Sequence, residues 1–254
     1  MSFNHEALLV KNITKLMKKD SINDVRIRLN NGVQIEANKI ILSAMSPFFN
    51  EKLEEKQNLQ SSDSFLEIDI DVTSTKEMLE LVMEYFYTGK MNIEKLSLRD
   101  LLDLLNLLQF LEFDIFPEIV EFTKKKINDG GFSFEKLLIL SSSAEAHNFS
   151  EINDLMLNYL DLNISDVSKL PEVKYLSSDS LENLIRKKEM DNNNDADEYN
   201  NERIFPRFEI LAFWMRSNEV NEDLKLKFTS MFDLKKFTSH QLTSSVREGL
   251  NKCH

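Results

Sequence analysis

Cysteine is nearly absent from this chain: its one residue, Cys253, stands beside the C-terminal His254. No intrachain disulfide and no cysteine-based zinc site can be built from it, which suits a reducing compartment. Glycine and proline are scarce as well, 5 and 4 residues in 254, which argues against turn-dense sandwiches, collagen-like chains and long flexible linkers. So few glycines leave no G-x-S-x-G elbow, no phosphate-cradling loop and no dinucleotide fingerprint. The four histidines, His5, His147, His240 and His254, fall without H-x-x-x-H or H-E-x-x-H spacing, so no helix face offers two imidazoles to one metal. Asp69 and Asp71 lack the glycine that a calcium-binding loop needs at its sixth position. No run approaches the ~20 apolar residues of a membrane helix, and the N-terminus has no secretory pattern. The N-x-S/T matches at Asn12, Asn148 and Asn163 are therefore chance occurrences. Positive charge is in deficit, with 31 basic against 43 acidic residues and a net charge of -12, so the surface repels phosphate backbones and anionic membranes. These absences predict a cytoplasmic or nuclear, non-catalytic protein with no cofactor, no metal, no nucleic-acid partner and no membrane contact.

What is present is enough for one or two packed domains: 42% hydrophobic and 29% charged residues with helical and strand periodicities that alternate along the first half. Leu9, Ile13, Leu16 and Met17 form one apolar stripe on a helix over about residues 5–18, ended by Lys18 and Lys19. Val25, Ile27 and Leu29 alternate with Arg26 and Arg28, and Asn30-Asn31-Gly32 supplies a tight turn before Val33 and Ile35, which spells a hairpin. Residues 38–52 carry Ile41, Leu42, Met45, Phe48 and Phe49, with Ser46-Pro47 splitting them into two short helices. After a polar stretch, Leu66, Ile68 and Ile70 alternate with acidic residues as a third strand joining the hairpin. Met78, Leu81, Val82, Tyr85 and Phe86 mark a helix over about 75–88, with Gly89 as a left-handed cap. Ser97 and Asp100 form a capping box before a leucine-dense helix that must be nearly buried and is too apolar on all faces for a zipper seam. Pro117 opens the next helix, which closes in Lys124-Lys125-Lys126 before the stop at Asn128-Asp129-Gly130-Gly131.

Beyond that stop the pattern is helical throughout, with helices at about 133–147, 151–162 (Ser150 as cap), 178–188 and 203–217. Trp214, the one tryptophan, sits among apolar neighbours and should be core, provided its indole N–H finds an acceptor. The acidic, asparagine-rich tract over 190–202 has almost nothing to bury and reads as a mobile loop.

The order helix, hairpin, helix pair, strand, helices carries Asp24-Val25, Ala37-Asn38-Lys39, Leu42, Ser46 and Phe49, then Tyr85, Tyr87, Thr88 and Gly89. This resembles the BTB/POZ family, whose pattern runs D-V, A-H-K with L, S and F at fixed offsets, and Y-x-Y-T-G. Tyr175-Leu176-Ser177, Leu181, Leu184 and Ile185, with Phe208 through Trp214, are similar to a BACK domain. The resemblance implies an α+β, mostly helical chain: a BTB/POZ fold, with a helical cluster flanked by a small β-sheet, followed by an all-α BACK-like helical domain. It further implies an N-terminal dimerisation helix over 1–22, a BTB/POZ domain over 23–129 and a BACK-like domain over 130–254. Kelch-like proteins and BTB-BACK proteins with discoidin-like domains share this arrangement.

The function implied by the resemblance is that of a homodimeric adaptor or scaffold of a cullin-3 ubiquitin ligase, with an unknown protein substrate. Leu8, Leu9, Ile13, Leu16 and Asp24 would lie at the dimer interface, and Leu53, Leu59, Phe110 and Leu111 would face cullin-3. Three departures qualify this. Asn38 replaces the family's histidine, an amide that can keep one hydrogen-bonding role of a neutral imidazole. Leu59-Gln60-Ser61 stands where family adaptors carry a hydrophobic-x-Glu triplet, so the glutamate is missing. With His254 following directly on the BACK-like helices, the family's kelch, MATH or discoidin-like reader is expected to be missing. The missing glutamate and the missing reader motivate an alternative: a self-associating BTB scaffold that does not bind cullin and pairs with other BTB chains.

Overall fold

In the computed structural model the described residues are 12, 15, 23–57, 65–186, 197–232, 237–239, 241 and 243. Two compact units divide between Phe122 and Thr123.

The first unit is built on a three-stranded sheet of β1 (Val25–Leu29), β2 (Gln34–Ala37) and β3 (Leu66–Ile70), in the order β2-β1-β3. β1 pairs antiparallel with β2 and parallel with β3. A parallel partner needs a crossover, which α1 (Lys39–Met45) and α2 (Pro47–Gln57) supply between β2 and β3. Side-chain alternation splits the sheet cleanly. Val25, Ile27, Leu29, Leu66, Ile68 and Ile70 are buried on one face, while Arg26 and Arg28 meet acidic partners on the other. Arg26 reaches Glu36 at 2.8 Å and Glu67 at 3.2 Å, and Arg28 reaches Asp69 at 2.7 Å. These exposed pairs add little stability singly, since water screens them.

α3 (Lys76–Thr88) starts at Thr75, whose side chain accepts the Met78 N–H, and stops at Gly89, where φ is 65°. That left-handed backbone is open to glycine at little cost. α4 (Leu98–Phe110) has the expected capping box, with the Ser97 and Asp100 side chains each accepting the other's backbone N–H at 3.2 Å. Seven of its leucines are buried. Arg99, Asp103 and Asn106 are left as a narrow polar stripe, spaced at helical intervals.

α5 (Phe116–Asn128) carries the division between the units, upstream of the Asp129-Gly130 turn. Gly131 N–H bonds the Lys126 carbonyl at 2.9 Å and Gly130 has φ 69°, a helix stop of the Schellman kind. A side chain at Gly130 would meet the Tyr159 hydroxyl at 2.9 Å.

The second unit is all-helical among the described residues: α6 (Phe134–Ala146), α7 (Ser150–Leu162), α8 (Ile164–Val167), a 3₁₀ turn (Pro171–Tyr175), α9 (Ser178–Arg186), α10 (Asp197–Ser217) and α11 (Glu222–Thr229). Its core holds Leu138, Met156, Leu160, Val173, Leu181, Leu184 and Ile210. Trp214 is buried and its indole N–H donates to the Leu176 carbonyl at 2.7 Å, which meets the condition for a core indole. Arg207 is buried too, with Nε donating to the Leu184 carbonyl at 3.3 Å and its terminal nitrogen paired with Asp161.

Three expectations need correction here. Part of the tract expected as a loop over 190–202 is helical, because α10 begins at Asp197; residues 190–196 lie outside the described set. Ser150 is the first residue of α7, and Phe149 in the cap position makes no side-chain capping bond. α8, the 3₁₀ turn and α11 were not anticipated, being short elements without a full amphipathic period.

Candidate protein-interaction site

The start of α1 gathers side chains from three parts of the first unit. Backbone bonds on both sides hold Asp24, its N–H to the Ala37 carbonyl at 3.1 Å and its own carbonyl to the Leu66 N–H at 2.9 Å. The half-buried carboxylate accepts the Lys39 N–H at 2.8 Å and lies 3.6 Å from Lys39 Nζ. Asn38 caps the same helix, its side-chain oxygen accepting the Ile40 N–H at 3.0 Å. The Tyr87 hydroxyl accepts the Asn38 N–H at 2.9 Å, and burial pushes that phenol above its ordinary pKa. Asp24, Asn38 and Tyr87 thus satisfy three consecutive backbone donors, at Asn38, Lys39 and Ile40, that the first helical turn leaves orphaned. This accounts for the cap role of Asn38: an amide oxygen performs it.

A second feature lies where α2 begins and α4 ends. The buried Ser46 hydroxyl donates to the Leu111 carbonyl at 2.7 Å. Phe48 and Phe110 pack edge to face with centroids 5.1 Å apart, both half-buried. Behind them the rings continue inward: Phe48 on Phe49 at 5.5 Å, Phe49 on Phe86 at 6.3 Å, Phe86 on Phe113 at 4.8 Å. The pair is an aromatic surface rooted in the core.

Of the residues expected to face cullin-3, Leu53 and Leu111 are 1% and 0% exposed and are core. α2 runs on past Leu53 to Gln57, and Leu53 sits one turn after Phe49 on its inward face. Phe110 does reach the surface. Leu59 lies outside the described residues, as do Leu8, Leu9, Ile13 and Leu16. Phe48 was missed as a surface residue, although the signal was legible: adjacent helical positions point about 100° apart, so Phe48 and Phe49 cannot both face one core.

Among the described residues, no three His, Cys, Asp or Glu side chains group as a metal site, and no helix is long and apolar enough to cross a membrane.

Residues 13–122 match the family model of the BTB/POZ domain. The N-terminal unit has the BTB/POZ fold, a protein-interaction module, and a helical domain follows it. The BTB domain of human gigaxonin, a solved structure, is 19% identical, with a TM-score of 0.38 over 48% of this chain and 94% of that one. No curated protein matches the chain.

Proposed function

We propose that this protein is a non-catalytic adaptor that homodimerises through its BTB/POZ domain, using the helix of Leu8, Leu9, Ile13 and Leu16 with the Asp24 region, and that presents partners to a cullin-3 ubiquitin ligase. The observation that carries the reading is the BTB/POZ match over residues 13–122, on a unit in which the signature residues Asp24, Asn38 and Tyr87 converge on one helix start. The second unit, with Trp214 and Leu176 in contact, is read as BACK-like. Two-fold symmetry would place two copies of each partner surface at a fixed separation and raise avidity without new contacts. Phe48 and Phe110 supply the aromatic part of the cullin-facing surface, in place of Leu53 and Leu111.

Sizing of the full chain at micromolar concentration tests dimerisation, and a monomer there would sink that claim. Pull-down with the purified N-terminal region of cullin-3 tests the ligase role separately, and absence of binding would remove it. A second reading, a self-associating scaffold that pairs with other BTB chains without cullin, is favoured by the missing glutamate in Leu59-Gln60-Ser61 and by the burial of Leu53 and Leu111. On that reading Ser61→Glu creates cullin affinity that the natural chain lacks.

A further inference from the structure

Two asparagines tie the tip of the β1–β2 hairpin to the loop after β3. The Asn30 side-chain nitrogen donates to Asp71 Oδ1 at 3.4 Å and its oxygen accepts from the Thr73 hydroxyl at 2.8 Å. Asn31 Nδ2 donates to the Ser74 carbonyl at 2.8 Å, and Asn31 Oδ1 accepts the Val33 N–H at 3.3 Å. The next residue is Gly32, with φ 85° and its N–H donating to the Leu29 carbonyl at 3.0 Å.

Asparagine followed by glycine is the pair in which the backbone amide reaches the side-chain carboxamide with least hindrance, and nothing lies within 4 Å of where a Gly32 side chain would stand. The Gly32 nitrogen gives its proton to solvent base, and its electron pair forms a bond to Asn31 Cγ. The Cγ–Nδ2 bond breaks, and the nitrogen leaves as ammonia after taking a proton. Water then opens the five-membered imide at either carbonyl, giving aspartate or isoaspartate. No electrons are exchanged with an outside group.

The fold restrains both reacting groups. The bond to Leu29 retains the proton that the nucleophile must lose. The bonds to Ser74 and Val33 hold the carboxamide at both its ends, so Cγ is not free to turn toward Gly32. We propose that Asn31-Gly32 is a fold-gated deamidation site, protected while the hairpin tip is clamped to the β3–α3 loop and reactive whenever that clamp opens. The reaction also destroys its own gate, because the carboxylate product has no N–H to offer the Ser74 carbonyl. It adds negative charge to a tip already bound to Asp71 through Asn30. Opening of this end of the sheet is thereby recorded covalently.

The test follows the tryptic peptide Leu29–Lys39 by mass spectrometry during incubation of the full chain at neutral pH, beside the same sequence as a free peptide. Asn38, in the same peptide but followed by lysine, is the internal reference. Deamidation at Asn31 is expected to be roughly ten-fold or more slower in the folded chain, as local structure must open first. In the variant D71A/T73V, which cuts both Asn30 bonds but leaves Asn31 and Gly32 in place, the rate rises several-fold while far-UV circular dichroism is unchanged. Equal rates in chain and peptide overturn the gating. A slow rate that D71A/T73V leaves unaltered overturns the clamp as its cause. Should the double variant not fold, Thr73→Val alone carries the same comparison.

Discussion

The Ser46 hydroxyl donates to the Leu111 carbonyl at 2.7 Å in the interior of the BTB/POZ unit, joining residues 65 apart in sequence. The same oxygen accepts the Phe49 N–H at 3.4 Å, so one side chain caps α2 and fixes it to the end of α4. Ser46→Ala leaves both groups short of a partner in a buried place. The expected loss is about 1–3 kcal/mol, read as a lowered urea midpoint by circular dichroism at unchanged m-value.

Leu53→Ala and Leu111→Ala should each cost about 2–5 kcal/mol, as core truncations do. Phe48→Ala should cost less, because its ring is only partly buried. If the aromatic pair is a partner surface, Phe48→Ala instead weakens capture of the cullin-3 N-terminal region in pull-down. The reverse ordering of stabilities would remove Phe48 from the surface.

Tyr87 carries a pH dependence. Burial raises its phenol above the ordinary value of 10.0, so the folded state holds the proton more tightly than the unfolded one. The stabilisation is fully present below pH 10.0 and is lost as pH rises through the folded pKa. Urea midpoints followed toward alkaline pH should therefore fall more steeply for the natural chain than for Tyr87→Phe. The variant is itself weaker at neutral pH, since the Asn38 N–H loses its acceptor. Parallel curves would show that Tyr87 is not the group titrating.

In the helical unit the buried pair of Arg207 and Asp161 predicts strong non-additivity. Asp161→Ala takes the carboxylate away from a guanidinium that is 3% exposed and should cost about 3–5 kcal/mol. Asp161→Leu combined with Arg207→Met removes both charges and should cost much less. A double-mutant cycle by chemical denaturation checks this, and additive losses would show that the two side chains act separately.

Much of this architecture is written in local pattern. The hairpin, the third strand, the capping box at Ser97 and the glycine stop at Gly89 each follow from a period or a cap that a few neighbouring residues define. What could not be read locally is long-range. β3 pairs parallel with β1, and nothing in Leu66–Ile70 alone states its direction. The inward turn of Leu53 and Leu111 depends on how far α2 extends and on what lies over the end of α4. Asp161 and Arg207 stand 46 positions apart, and only the packed helices bring them together. Asp197 through Glu202 look like loop because they have little to bury, yet they continue a helix that the apolar residues from Ile204 onward anchor.

Because Trp214 is the sole indole in the chain and lies against Leu176 and Phe228, red-edge excitation of intrinsic fluorescence reports on the helical unit alone. Tyr85 and Tyr87 belong to the BTB/POZ unit and are silent at that wavelength. The molecule therefore contains its own optical label for one half, and melting of that half can be timed by itself without attaching a dye.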